Sequence, residues 1–395
     1  MTTAATTAPP ARRNFALLWL AQAVSTTGSA FTFVAMPILV LRATGSVAQM
    51  GWLTAVGSVG TITAGVFAGQ VVDRYDHRRI LTGCDTARAA VFGVVLFDHR
   101  LEVLYGAMLV GSALAMVSQV CYVSVVAGVV PPGELTAANA KLDATYAVAF
   151  VVGPVASGAL SAIAGPVASV GVNAAMFALS ATTLLFLGLD GRPPASDRTG
   201  GLAGIAFLWR QPALRALTAV ASVISFCTLG LTDVFVYHVR HDLGRGDAAV
   251  GYVVGGAALG AVAAAVAAPF LRSRLSFGVC WVGAYAVCGT AALSLSFRHT
   301  LGHAVVAATL FSFGTTLANT CSKTFRQTVT PPAVLGRVTS AFWTIQSVLA
   351  PVGAVILTGM TSAYGVPAVA RTVGTVCLAA AACSLFTPLT ARNTP

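Results

Sequence analysis

Apolar residues run along this chain in long blocks, interrupted by short polar connections. Twelve blocks stand out, at residues 14–41, 47–70, 80–98, 103–130, 135–163, 167–189, 214–239, 248–271, 276–297, 301–328, 335–362 and 366–389. Each is close to the ~20 residues that a helix needs to cross the hydrocarbon of a bilayer. The blocks are continuously apolar and do not alternate with period two, which predicts helices and not the strands of a barrel. The expected fold is an all-α polytopic membrane protein with twelve transmembrane helices.

The longest polar connection, "DGRPPASDRTGG" at residues 190–201, is followed by "FLWRQPALRAL" and reads as a cytoplasmic linker from its Pro, Gly and charge content. It predicts a cytoplasmic tail at 1–13, a six-helix bundle at 14–189, a linker at 190–213, a second six-helix bundle at 214–389 and a tail at 390–395. The two halves also match each other. "MGWLTAVGSVG" (50–60) lies over "VGYVVGGAALG" (250–260), so Gly51 falls on Gly251 and Gly60 on Gly260; "PPGELTAANA" (131–140) lies over "PPAVLGRVTS" (331–340). An even number of spans separates the copies, so the repeat is parallel. Two like bundles with a site between them is a transporter architecture.

Composition narrows this further. The mean hydropathy is +0.82, and only 9% of residues are charged against about a quarter in ordinary soluble proteins. The net charge of +11 points to the membrane surface and not to nucleic acid. With both termini inside, Arg12, Arg13, Arg74, Arg78, Arg79, Arg210, Arg272 and Arg274 gather on the cytoplasmic side. "MTTAATTAPPARR" has no apolar core and is not expected to be a cleaved leader. The eight cysteines show no paired metal-ligand spacing and mostly lie in apolar blocks, so neither a disulfide framework nor a metal or other cofactor is expected. The expected partners are a small-molecule substrate, protons and lipid, and the expected form is a monomer in the cell membrane.

Four spans carry polar stripes at helical spacing. The first has Gln22, Ser25, Ser29 and Thr32; the fourth has Ser112, Gln119 and Tyr122; the seventh has Ser222, Ser225, Thr228 and Thr232, with Asp233 and Tyr237 beside them. The tenth has Ser312, Thr316, Asn319, Lys323 and Arg326. Polar groups are costly in hydrocarbon, so such faces turn toward protein or a wet cavity. Ser and Thr stripes also serve as packing faces, but these four spans are related pairwise by the repeat, which favours a substrate cavity. Gln346 in the eleventh span is a further candidate for its lining. Spans 2, 5, 8 and 11 are rich in glycine, as close helix approach requires.

The densest charge lies in "GQVVDRYDHRRIL" (69–81), the loop between spans 2 and 3. It resembles the loop motif of the major facilitator superfamily, glycine–x–x–x–aspartate–arginine–x–x–x–arginine–arginine. "TGSVAQMGWL", "PPGELTAANA" and "LGRVTSAF" are similar to the branch that holds macrolide and enterobactin exporters. The resemblance implies a tight turn at Gly69, an Asp73 that caps or pairs across to the other half, and Arg74, Arg78 and Arg79 completing that charge network, joined by Asp85 and Arg88. The corresponding loop, "PFLRSRLSFG", has Pro269 for Gly69 and Ser273 for Asp73, which implies an asymmetric gate. "GPVASG" in span 5 resembles the antiporter signature of the superfamily, with Pro154 permitting a bend and Gly153 and Gly158 tight packing.

The resemblance implies drug or siderophore export driven by protons. It also implies an acid in span 1 and an arginine in span 4, but this chain has Ser29 in "STTGSAF" and no arginine in "YGAMLVGSALAM". The candidates for proton coupling are therefore Asp233, with His238 just beyond it, and Asp143. A structural acid pairing with Arg240 or His238 is the alternative for Asp233, and an ion pair with Lys141, Lys323 or Arg326 the alternative for Asp143. Lys323 and Arg326 either draw substrate into the cavity or snorkel to the cytoplasmic surface. Two other readings stay open: an importer of the same fold, and a membrane enzyme or sensor using Asp233, His238, Lys323 and Arg326, although no nucleophile–base constellation supports catalysis.

Overall fold

In the computed structural model, helix lies on every one of the twelve predicted stretches. The structure describes residues 9–45, 47–188, 203–228, 231–245, 247–297 and 300–390; the outermost tails and linker positions 190–202 lie outside them. The first half comprises α1 (Pro9–Thr44), α2 (Val47–Arg74), α3 (His77–Val94), α4 (Leu101–Val129), α5 (Leu135–Ala164) and α6 (Pro166–Leu185). The second comprises α7 (Ala203–Arg210), α8 (Pro212–Thr228), α9 (Leu231–Tyr237), α10 (Asp247–Arg274), α11 (Phe277–Ser294), α12 (Leu301–Val329), α13 (Pro332–Tyr364) and α14 (Val366–Ser384). Among the described residues, nine helices are long and apolar enough to cross a membrane.

The repeat seen in the sequence is a repeat of structure. α2, α3 and α4 recur as α10, α11 and α12 with boundaries displaced by 200 positions. Packing recurs too: α2 lies on α4, α3 on α4 and α6, and α1 on α6, as α10 lies on α12, α11 on α12 and α14, and α8 on α14. The local causes are duplicated. Asp76 caps α3 by accepting from the Arg79 amide, and Ser276 caps α11 by accepting from the Val279 amide. Gly165 and Gly365 take φ of 84° and 77° and turn the chain into α6 and α14, a conformation that glycine adopts freely. Gly60 meets the Leu109 carbonyl on α4, and Gly260 meets the Thr309 carbonyl on α12, so closely that a Cβ at either would overlap the oxygen.

Two departures from the sequence reading appear here. The seventh span does not stay α-helical to its end: His238–Asp242 forms a π-helical turn directly after α9. Part of the expected linker is also ordered as α7, which buries Leu208.

The chain forms two compact units whose limits do not follow the midpoint of the sequence. The first contains residues up to Ala138, Val148–Ile205 and Thr330–Thr344; the second contains Asn139–Ala147, Ala206–Val329 and residues from Ile345 onward. The start of α13 thus belongs with first-half helices, and Asn139–Ala147 of α5 with second-half helices.

Candidate functional site

In the first unit, the charged loop meets the start of α13. Asp73, at the end of α2, accepts from the Gly336 amide at 3.0 Å and from the Arg337 amide at 3.2 Å. Arg337 Nε donates to its Oδ2 at 2.8 Å, and both side chains are buried. One carboxylate therefore takes two backbone donors and a guanidinium, a charge-assisted arrangement stronger than any single neutral bond. Gly69 makes the approach possible, because a Cβ there would stand 2.5 Å from Arg337 Cα and 2.8 Å from its nitrogen. Ser340 adds a bond to the Gly65 carbonyl, one turn before Gly69 in α2.

A second group of buried charges sits within α1, α3 and α6. Ser180 donates to Asp85 Oδ2 at 2.6 Å and Ser25 to Oδ1 at 3.3 Å. Arg88 donates to Ser25 Oγ at 3.3 Å and to Ser29 Oγ at 2.8 Å, stands 3.5 Å from Asp85 and lies 3.8 Å over the Phe177 ring.

In the second unit, the start of α5 is tied to α12. Lys323 Nζ donates to Asp143 Oδ1, and Thr320 donates to Oδ2 at 2.6 Å. One turn earlier, the Asn139 amide donates to Thr324 Oγ1 at 3.0 Å and to Gln327 Oε1 at 2.6 Å. Further along the unit, His238 is fully buried and its Nδ1 lies 2.8 Å from Asp242. Tyr237 stacks on His241 with ring centroids 4.7 Å apart.

The family model described as Major Facilitator Superfamily matches residues 18–354. The chain belongs to the major facilitator superfamily. The multidrug efflux pump Tap of Mycolicibacterium fortuitum is 23% identical over 371 residues, covering 89% of this chain and 90% of Tap. The enterobactin exporter EntS of Shigella flexneri is 26% identical over 362 residues, covering 88% of this chain and 84% of EntS. Among solved structures, the human organic anion transporter MFSD10 superposes with a TM-score of 0.79 at 15% identity, covering 95% of this chain and 100% of that one. A bacterial homologue of the iron transporter ferroportin, solved in an outward-facing state, gives 0.77 at 18% identity, covering 94% and 97%. These structural likenesses concern the fold.

With this superfamily fold in place, several residues stand elsewhere than the sequence reading expected. Gly69 lies inside α2 and serves helix approach, not a turn. Asp73 is completed by Arg337 and not by Arg74, Arg78 and Arg79, which are exposed; Arg78 donates instead to the Leu185 carbonyl. Asp85 and Arg88 form their own buried cluster apart from Asp73, because their positions on α3 face α1 and α6. Gly153 does pack, against Ala30 of α1, but a Cβ at Gly158 would meet nothing within 4 Å. α5 runs on through Pro154 as one helix. In the second half, the Ser273 hydroxyl turns back to the Phe270 carbonyl at 2.8 Å.

Of the expected cavity residues, Ser25 and Ser29 are committed to Asp85 and Arg88, and Thr32 bonds back to the Gly28 carbonyl at 3.5 Å. Ser29, where the resemblance implies an acid, instead receives the Arg88 guanidinium. Tyr122 and Gln346 are buried, Gln22, Gln119, Ser225, Tyr237 and Thr316 are half-buried, and Asn319 is exposed. Arg326 does not snorkel: it is 0% exposed, with Nε donating to the Ser322 carbonyl at 3.2 Å. The Asp233 side chain lies outside the described residues. Sequence reasoning missed Arg337, Ser180 and Asp242. Asp242 was accessible, since it follows His238 by one helical turn; the other two are distant in sequence and carry no local signal.

Proposed function

We propose that this protein exports small organic molecules across the cell membrane by alternating access, coupled to proton entry. The observation that carries export is the extent of the likeness: proteins named as a multidrug efflux pump and as an enterobactin exporter match 89% and 88% of this chain. The proposed organisation is two six-helix bundles, at 14–189 and 214–389, with both termini cytoplasmic, acting as a monomer and without catalysis.

Asp73 supports the transport reading chemically. Its bonds to Gly336 and Arg337 tie the first-half loop to the second half of the sequence, and we read this as a latch on the cytoplasmic side that breaks when that side opens. The Asp143–Lys323 pair is read as a companion latch. Asp143, His238 and Asp233 remain the candidates for proton coupling in the second unit.

The test is transport in everted membrane vesicles with an acid lumen, using ethidium and enterobactin as probes. Accumulation of either probe that collapses when the pH gradient is dissipated supports proton-driven export. Accumulation only in right-side-out vesicles would assign import instead.

A further inference from the structure

A carboxylate sealed in a helical bundle must be held by groups that replace its water. Asp85 is such a group: its side chain is 2% exposed, and that of its neighbour Arg88 is 7% exposed. Two hydroxyls donate to it, from Ser180 on α6 and Ser25 on α1. The titratable groups facing it are Cys84 and Arg88 from its own helix and Tyr122 from α4. α1 and α6 present the Ser25, Ser29 and Ser180 hydroxyls, the Ala21 carbonyl and the Phe177 ring.

The guanidinium is not committed to the carboxylate. Arg88 stands 3.5 Å from Asp85, yet its shortest bond, at 2.8 Å, goes to Ser29. Together with Ser25 at 3.3 Å and the Phe177 face at 3.8 Å, Ser29 gives the cation partners that survive neutralisation of Asp85. Ser25 stands between the two charges, accepting from Arg88 and donating to Asp85. A hydroxyl both donates and accepts, and Ser180 Oγ also lies 2.9 Å from the Ala21 carbonyl. A protonated Asp85 can thus donate to Ser180 while that hydroxyl donates to Ala21 and Ser25 keeps its own bond, without any heavy atom moving far. The same atoms therefore satisfy the ionised and the neutral carboxyl, which a purely structural ion pair does not require.

We propose that Asp85 is a proton-exchange site of the transport cycle and that Arg88 is its positioning residue. The proton binds a carboxylate oxygen on one side of the cycle and returns to water on the other, and only an O–H bond forms and breaks. Ionised, Asp85 draws Arg88 toward α3; neutral, it leaves the guanidinium to Ser25 and Ser29 on α1. α1 carries the change onward, because Gly153 packs on Ala30 and Ser157 donates to the Phe31 carbonyl at 2.9 Å, both from α5. This site rests on the proton-antiport reading above.

The experiment uses the full chain in nanodiscs and pH-difference infrared spectroscopy. Wild type should show a protonated-carboxyl C=O band that appears on acidification, is absent from Asp85→Asn and persists in Asp143→Asn. Ser180→Ala, which removes the 2.6 Å donor, should shift the pH midpoint of that band without abolishing it, and serves if Asp85→Asn fails to fold. In proteoliposomes, Asp85→Asn should lose ΔpH-driven movement of ethidium while keeping ethidium exchange at equilibrium. A band unchanged in Asp85→Asn and in Ser180→Ala, or undiminished ΔpH-driven transport by Asp85→Asn, overturns the proposal. A titrating Asp85 band in a wild-type protein that moves neither probe under a pH gradient overturns the antiport reading and leaves the site standing.

Discussion

Asp73 and Arg337 are 264 positions apart in sequence, and Arg337 Nε donates to Asp73 Oδ2 at 2.8 Å. The carboxylate also accepts from the amides of Gly336 and Arg337, so the contact is more than a pair of opposite charges. Asp73→Asn should reduce transport by more than about tenfold, because breaking a buried charge pair costs ~3–5 kcal/mol and each 1.4 kcal/mol is a factor of ten. The charge-reversed double variant Asp73→Arg/Arg337→Asp should not recover it, since an arginine cannot accept from the two amides. Initial transport rates at matched expression check both statements; recovery by the reversed pair would reduce the contact to its charges.

Glycines that look equivalent in the sequence should respond differently. Gly69→Ala places a Cβ against the Arg337 backbone, and Gly153→Ala places one against Ala30, so both should lose transport and thermal stability. Gly158→Ala enters open space and should be neutral or stabilise by about 0.5–1 kcal/mol through reduced chain entropy. Thermal unfolding of the three purified variants, followed by transport of each, gives the comparison.

The repeat makes its own prediction. Gly60→Ala and Gly260→Ala would each drive a methyl into a carbonyl oxygen of the neighbouring helix, at Leu109 and Thr309. Overpacking of this kind costs typically ~1–3 kcal/mol, and the two variants should lower the melting temperature by similar amounts. A large difference between them would show that the two seams are not energetically alike.

Lys323 neutralises Asp143 in a buried setting. Lys323→Met should destabilise by about 3–5 kcal/mol, because it strands a buried carboxylate. Lys323→Met/Asp143→Leu should regain most of that loss, since a pair of apolar side chains carries no desolvation penalty. Melting temperatures in one detergent test the double-mutant coupling, and additive losses would contradict it.

Much of the fold was legible because a bilayer permits few solutions. The apolar blocks announced helices, and the Gly51/Gly251 and Gly60/Gly260 matches announced a repeat that α2–α4 and α10–α12 repeat at the same displacement. The polar stripes were read less well. Ser25 and Ser29 have the spacing of a cavity face, but that spacing is shared by any buried polar seam, and here the seam belongs to Asp85 and Arg88. The π-helical turn at His238–Asp242 escaped because hydropathy does not register a change in helical hydrogen bonding.

The sequence by itself determined which segments become helices, that the halves are copies and that charge concentrates in the loop around Asp73. These follow from chain composition and short periodicities, which a solvent as restrictive as lipid converts directly into structure. Only the tertiary structure decided the partners: Arg337 for Asp73, Lys323 and Thr320 for Asp143, and Ser180, Ser25 and Arg88 for Asp85. Most of those pairings depend on which helix faces meet after packing, a property of the whole assembly that no local stretch of residues contains.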